Sequence, residues 1–240
     1  MIFMEERKKR ILFNTVKEHI ETKAPVSSQG LVKKYKLDIS PATVRNIMGE
    51  LEEEEYILQP HTSAGRIPTE KAYKVYLNYL FSSESQKEGK NLSSGELRQL
   101  QELLSENKQD NFKKAAKLIA TYSDNAVFWA FSKNNLYYTG VSNLLQQPEF
   151  AREGLIYDIS SIIDRMDEII GDFFEDIPKR EISVYVGSEN PFGKFCSSVL
   201  TKYRSQNRNL GVFGILGPLR MDYKKNIALV GQVLRYLEGK

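Results

Sequence analysis

The chain is poor in residues that do covalent or metal chemistry and better supplied with those that read a surface through hydrogen bonds. Its 240 residues hold two histidines, His19 and His61, and one cysteine, Cys196. They form no cluster with the spacing a zinc site requires. His61 and Ser63 stand two apart with no acid in evidence to orient the imidazole, so a hydrolytic triad has little support. No Gly-rich phosphate loop of the Walker type occurs, and Gly187-Ser188-Glu189-Asn190 lacks its spacing. The expectation is a protein that is not an enzyme, with no cofactor and no metal site.

The recognition chemistry is concentrated in Ser40-Pro41-Ala42-Thr43-Val44-Arg45-Asn46-Ile47-Met48. Ser40 is a strong N-cap, and Pro41 suits the first helical position, where a missing N–H costs nothing. Val44, Ile47, Met48 and Leu51 fall at i, i+3, i+4 and i+7, which predicts one core-facing side. Thr43, Arg45, Asn46 and Gly49 are left outward. Arg and Asn make bidentate hydrogen bonds to guanine and adenine edges in a major groove, and a thin helix face lets the backbone come close. Arg45 and Asn46 are therefore the candidate base readers. Ser40 and Thr43 are candidates for phosphate contact through their hydroxyls and the helix N-terminal amides, a role that Ser40 can combine with capping. Behind the acidic run Glu52–Glu55, Tyr56–Gln59 reads as a strand. His61-Thr62-Ser63-Ala64-Gly65-Arg66 reads as a loop suited to a phosphate backbone, with His61, Thr62, Ser63 and Arg66 as the contacts. For Lys33 and Lys34 a solvated helix face is the safer reading.

These residues need a scaffold, and the flanking sequence supplies one. Residues 5–22 predict a first helix with Ile11, Leu12, Val16 and Ile20 on one side. Ala24-Pro25-Val26 breaks it, and Ser27 or Ser28 caps a second helix over Gln29–Tyr35. Three helices followed by a hairpin make a winged helix-turn-helix, which lays its third helix in the major groove. Thr69 is expected to cap the next helix, whose stripe Tyr73, Tyr76, Leu77 and Leu80 reads as core. Residues 1–45 hold ten Lys/Arg against five acids, a net +5 within a chain of net +3. That polarity suits entry into DNA by the N-terminal end of the helix.

Ser82–Gly95 is polar and rich in Ser, without periodicity, and marks a linker. The domains are accordingly 1–81, the linker 82–95, and 96–240. Beyond it, helices are expected over Glu96–Ser105 and Asn111–Ser123, and strands over Ala126–Phe131 and Leu136–Thr139. One long amphipathic helix is expected through Leu155–Phe173. Strands follow over Glu181–Gly187, Ser198–Tyr203 and Gly211–Leu216, the last two joined as a hairpin by Ser205–Asn209, and then a terminal helix. The class is α+β. Gly217–Tyr223 falls between strand and helix, with Arg220 either an anion hook or the partner of Asp222. One cysteine fits a reducing compartment. No apolar run approaches the roughly 20 residues of a membrane span. The acidic N-terminus does not read as a signal peptide, so the expected location is cytoplasmic.

Ser40–Met48 together with Pro60–Thr69 resembles the bacterial heat-inducible transcription repressor HrcA family. Gly140–Leu145 with Pro148-Glu149-Phe150, Gly187–Asn190, and Gly217–Tyr223 match the blocks of that family in order. The resemblance implies a winged-helix DNA-binding domain followed by a GAF-like mixed α/β domain. It also implies a dimer on an inverted-repeat operator before chaperone operons, and dependence on the GroEL chaperonin. Family members are longer, and this chain passes from Phe131 to Tyr137 by a short turn. It reads as a short form lacking the central inserted dimerisation domain, with the dimer contact expected from the C-terminal domain or the helices flanking the linker. The competing class is a protein-interaction or ligand-sensing module whose winged helix does not bind DNA specifically.

Overall fold

The computed structural model describes residues 4–82, 93–106, 108–151, 155–176, 181–204 and 210–238. The chain divides into two compact units, 1–87 and 88–240.

The front unit runs α1 (Glu6–Thr22), α2 (Ser28–Tyr35), α3 (Pro41–Glu53), a hairpin of β1 (Ile57–Leu58) and β2 (Ile67–Pro68), and α4 (Glu70–Phe81). Local chemistry sets the boundaries. Ser27, not Ser28, caps α2 by accepting the Gly30 N–H at 3.1 Å. The helix ends where Lys36 turns left-handed at φ 47°. Ile11, Leu12 and Val16 of α1 are buried with Leu31, Val44, Met48, Leu51, Tyr73 and Tyr76. Val26 pairs with Arg66 as an isolated antiparallel bridge, so the breaker segment does pass through extended structure. Thr69 stands at the N-cap of α4 as expected, but its side chain makes no capping bond there. Its hydroxyl donates instead to the carbonyls of Glu55 and Tyr56, at 2.7 and 3.0 Å, and ties the start of α4 to the end of α3.

The rear unit is mixed α/β. Its sheet is built from β3 (Ala126–Ser132), β4 (Asn135–Thr139), β5 (Ile182–Val186), β6 (Cys196–Arg204) and β7 (Leu210–Pro218). The order is β4-β3-β7-β6-β5, antiparallel throughout. Helices α5 (Ser94–Ser105), α6 (Gln109–Ser123), α7 (Val141–Leu145), α8 (Leu155–Asp164), α9 (Met166–Asp176) and α10 (Tyr223–Glu238) complete it. Strand alternation divides the apolar residues between two faces. Phe128, Ala130, Leu200, Val212 and Leu216 join Leu144, Ile159, Met166, Ile170 and Phe173 from α7, α8 and α9. Trp129 points the other way. It stacks on Phe112 of α6 at 4.9 Å, and its Nε1 donates to the Tyr203 hydroxyl at 2.7 Å.

Three further expectations change. The helix through 155–173 is two helices that meet at Arg165. The expected linker overruns at its end, since Ser93 and Glu96 form a capping box and α5 begins at Ser94. Arg220 does not pair with Asp222, whose carboxylate instead accepts the Lys225 N–H at 3.0 Å at the start of α10. Residues 83–92, the rest of that linker, and Ser205–Asn209 between β6 and β7 lie outside the described residues.

Candidate nucleic-acid interface

Helix α3 is built as its spacing requires. The Ser40 hydroxyl accepts the Thr43 N–H at 3.1 Å and lies 2.9 Å from the Thr43 hydroxyl. Pro41 occupies the first turn. Val44, Met48 and Leu51 are fully buried, which turns Arg45 and Asn46 outward. Neither Arg45 nor Asn46 has a side-chain partner among the described residues. Gly49 opens onto empty space, since a Cβ there would meet nothing within 4 Å. The small residue is not a packing requirement, and the outward face stays thin.

The hairpin after α3 holds its loop by side-chain bonds. Gln59 Nε2 donates to the carbonyls of Thr62 and Ala64, at 3.0 and 2.9 Å, which leaves His61, Thr62 and Ser63 exposed at the tip. Gly65 serves a close approach rather than flexibility. A Cβ there would lie 2.4 Å from the Val26 carbonyl oxygen, where Arg66 and Val26 exchange backbone hydrogen bonds of 2.8 and 2.9 Å. Arg66 is not an unpaired cation at the tip: its Nε donates to Glu52 at 2.9 Å.

The basic surplus of the front segment is partly consumed inside the unit. Lys8 bridges Glu50 and Glu54 at 2.8 Å each, and these carboxylates raise its ammonium above the usual lysine range. Lys34, the neighbour of Lys33, is held by Glu18 and Glu21 at 2.6 Å and raised likewise. Tyr35, beside Glu18, is pushed up to about 12, by burial first and by that carboxylate second. Arg7, Arg10, Lys17, Lys33, Lys36 and Arg45 keep no partner among the described residues. The acids at the far end of α3 are therefore structural as well as solvated, a role that sequence scatter did not reveal.

In the rear unit, Arg220 is buried and forms a two-point ion pair with Glu149, and its Nη2 also donates to Gln147 at 2.6 Å. Gln147 passes the network on to the Asp124 and Asn143 carbonyls, and Asn143 to those of Ala120 and Asn125. Buried, and with its Nε and Nη2 committed to these side chains, Arg220 is not poised as an anion hook. Gln147 and Asn125 were not singled out by sequence reasoning, because the side chains they serve are distant in the chain. The buried Cys196 thiol is pushed up to about 12, which holds it in the unreactive protonated form. No helix among the described residues is long and apolar enough to cross a membrane.

Residues 74–227 match the sequence model of a family described as "HrcA protein C terminal domain". The chain is 27% identical over 335 aligned residues to the heat-inducible transcription repressor HrcA of Desulforamulus reducens, covering 98% of this chain and 96% of that protein. The repressor of the same name from Thermodesulfovibrio yellowstonii is 26% identical over 339, covering 98% and 97%. These alignments are longer than the 240 residues of the chain, so the relatives carry segments that this chain lacks. An 81-residue stretch, 34% of this chain and 23% of the relative, is 51% identical to the same-named repressor of Pelotomaculum thermopropionicum. The fold is that of a crystal structure of a hypothetical protein at 2.2 Å resolution, with a TM-score of 0.80 at 19% identity, over 99% of this chain and 98% of that one. The family match spans most of the chain, Gly140–Leu145, Glu149 and Arg220 included, and the chain belongs to the HrcA family.

Proposed function

We propose that the front unit is a winged helix-turn-helix, that the rear unit is GAF-like, and that the chain is a repressor of heat-shock (chaperone) genes that binds an inverted-repeat operator as a dimer. The observation that carries this reading is the division of labour along α3. At its N-terminal half Arg45 and Asn46 are exposed with no partner among the described residues, whereas Glu50, Glu52 and Glu54 at the far end are engaged by Lys8 and Arg66. Each bidentate contact from Arg45 or Asn46 would contribute about 1–3 kcal/mol of discrimination. Ser40 and Thr43 would hold phosphates at the helix start. His61, Thr62 and Ser63 would meet the backbone from the wing, with Arg66 behind them.

A palindromic operator needs two recognition helices about 34 Å apart or a multiple of it. The rear unit, or the helices flanking segment 82–95, would supply the two-fold contact. A strict monomer by sedimentation at micromolar concentration, both free and on operator DNA, would remove the dimer. Reliance on the GroEL chaperonin is part of the same proposal, and recovery of DNA binding after heating, with and without chaperonin, tests it. The function itself is tested by selecting preferred duplexes from a random pool. A palindromic consensus is the expected result, and a pool that never enriches would leave an interaction or ligand-sensing module in its place.

A further inference from the structure

The carboxylate of Glu52 is bonded to both limbs of the hairpin. Its Oε1 accepts the backbone N–H of Gln59 at 2.9 Å, and its Oε2 accepts from Arg66 Nε at 2.9 Å. Gln59 carries the constraint outward through its bonds to the Thr62 and Ala64 carbonyls. The far limb is anchored by the Val26–Arg66 bridge. Helix geometry gives this arrangement a direction. Glu52 follows Arg45 by seven residues, two turns on and within about 20° of the same side, and about 10 Å along the axis. The clasp therefore attaches the base of the hairpin, whose tip His61 to Ser63 is exposed, to the side of α3 that presents Arg45.

We infer that Glu52 is a positioning residue for DNA reading, fixing the wing to the recognition helix while holding the charge of Arg66 back from the phosphate backbone. This rests on the DNA-binding reading above. An unpaired carboxylate on that side would repel phosphates. Paired with Arg66, it is neutralised and serves as the hinge pin between reader and wing.

The test uses the full chain on the selected inverted repeat and on a scrambled duplex across a salt series. Glu52→Gln keeps an acceptor for the Gln59 N–H but releases Arg66. The slope of log affinity against log salt on scrambled DNA should steepen by about 0.9, one phosphate's worth. The ratio of specific to scrambled affinity should fall about tenfold, the scale of one good base contact. Gln59→Met removes the loop bonds without changing charge, so the ratio should fall while the slope stays. A purely structural loss of fold would lower both affinities together and move neither readout in this pattern. Wild-type discrimination with an unchanged ratio in both variants would overturn the clasp alone. So would an Arg66→Ala variant that lowers the wild-type slope by about 0.9, since Arg66 would then already sit on a phosphate. A wild-type chain that fails to separate the two duplexes overturns the DNA reading, and the clasp with it.

Discussion

Arg220 and Glu149, 71 positions apart in sequence, meet in a two-point ion pair within the rear unit. The arginine side chain is 5% exposed and the glutamate 37%. The pair joins the segment after β7 to the turn after α7, and through Gln147 it reaches the start of β3. Two glycines make that junction possible. Gly140 adopts φ +74°, and a Cβ at Gly217 would lie 2.1 Å from Asn125 Oδ1.

Arg220→Met should therefore destabilise the rear unit by about 2–4 kcal/mol, because it removes the donor to Gln147 Oε1 and strips the half-buried carboxylate of its ion-pair partner. Glu149→Gln, at the more exposed end, should cost less. The single tryptophan, Trp129, lies in this unit, so its fluorescence in a denaturant titration reports the loss directly.

Tyr203→Phe removes the acceptor of the fully buried Trp129 Nε1 and should cost about 1–3 kcal/mol. Burial raises the Tyr203 hydroxyl above the usual tyrosine range, against the opposing donation from Trp129. The unfolded chain then loses this proton first as pH rises. Stability contributed by the neutral hydroxyl is intact below the ordinary tyrosine value and declines above it. Unfolding free energies measured across alkaline pH should show that decline in the wild type and a shallower one in the Phe variant.

Gly65→Ala forces a Cβ against the Val26 carbonyl. The Val26–Arg66 bridge should open, at a cost of about 1–3 kcal/mol to the front unit. Faster amide exchange at Val26 and Arg66, with α2 unaffected, is the expected signature.

The cap made by Ser40 and its proposed phosphate contact are separable. Ser40→Ala should cost about 1 kcal/mol of stability through the lost cap. Ser40→Asp should restore the cap yet weaken DNA binding by placing a carboxylate where a phosphate would sit. Equal DNA affinity for the Asp variant and the wild type would leave Ser40 as a cap alone.

The sequence made the front unit legible because its signals are local. The Ser40 cap, Pro41 and the Val44–Leu51 spacing all act within one helix. What was not legible depends on residues that only folding brings together. Arg66 reads as a phosphate contact of the wing because Glu52, which holds it, stands 14 positions away, and the two readings of Arg220, an anion hook or a partner of Asp222, both leave out distant Glu149. The break at Arg165 was hidden for another reason. Ile159, Met166, Ile170 and Phe173 keep helical spacing across it, so the apolar pattern continues where the helix does not.

Whether α3 reads bases through Arg45 is measured by the affinity of wild type and Arg45→Ala for a panel of operators substituted at every position. The expected result is a wild-type preference that Arg45→Ala relaxes at one symmetric pair of positions, by about 1–3 kcal/mol, with the other positions unchanged. An even loss of affinity across every sequence would contradict it and make Arg45 a backbone contact.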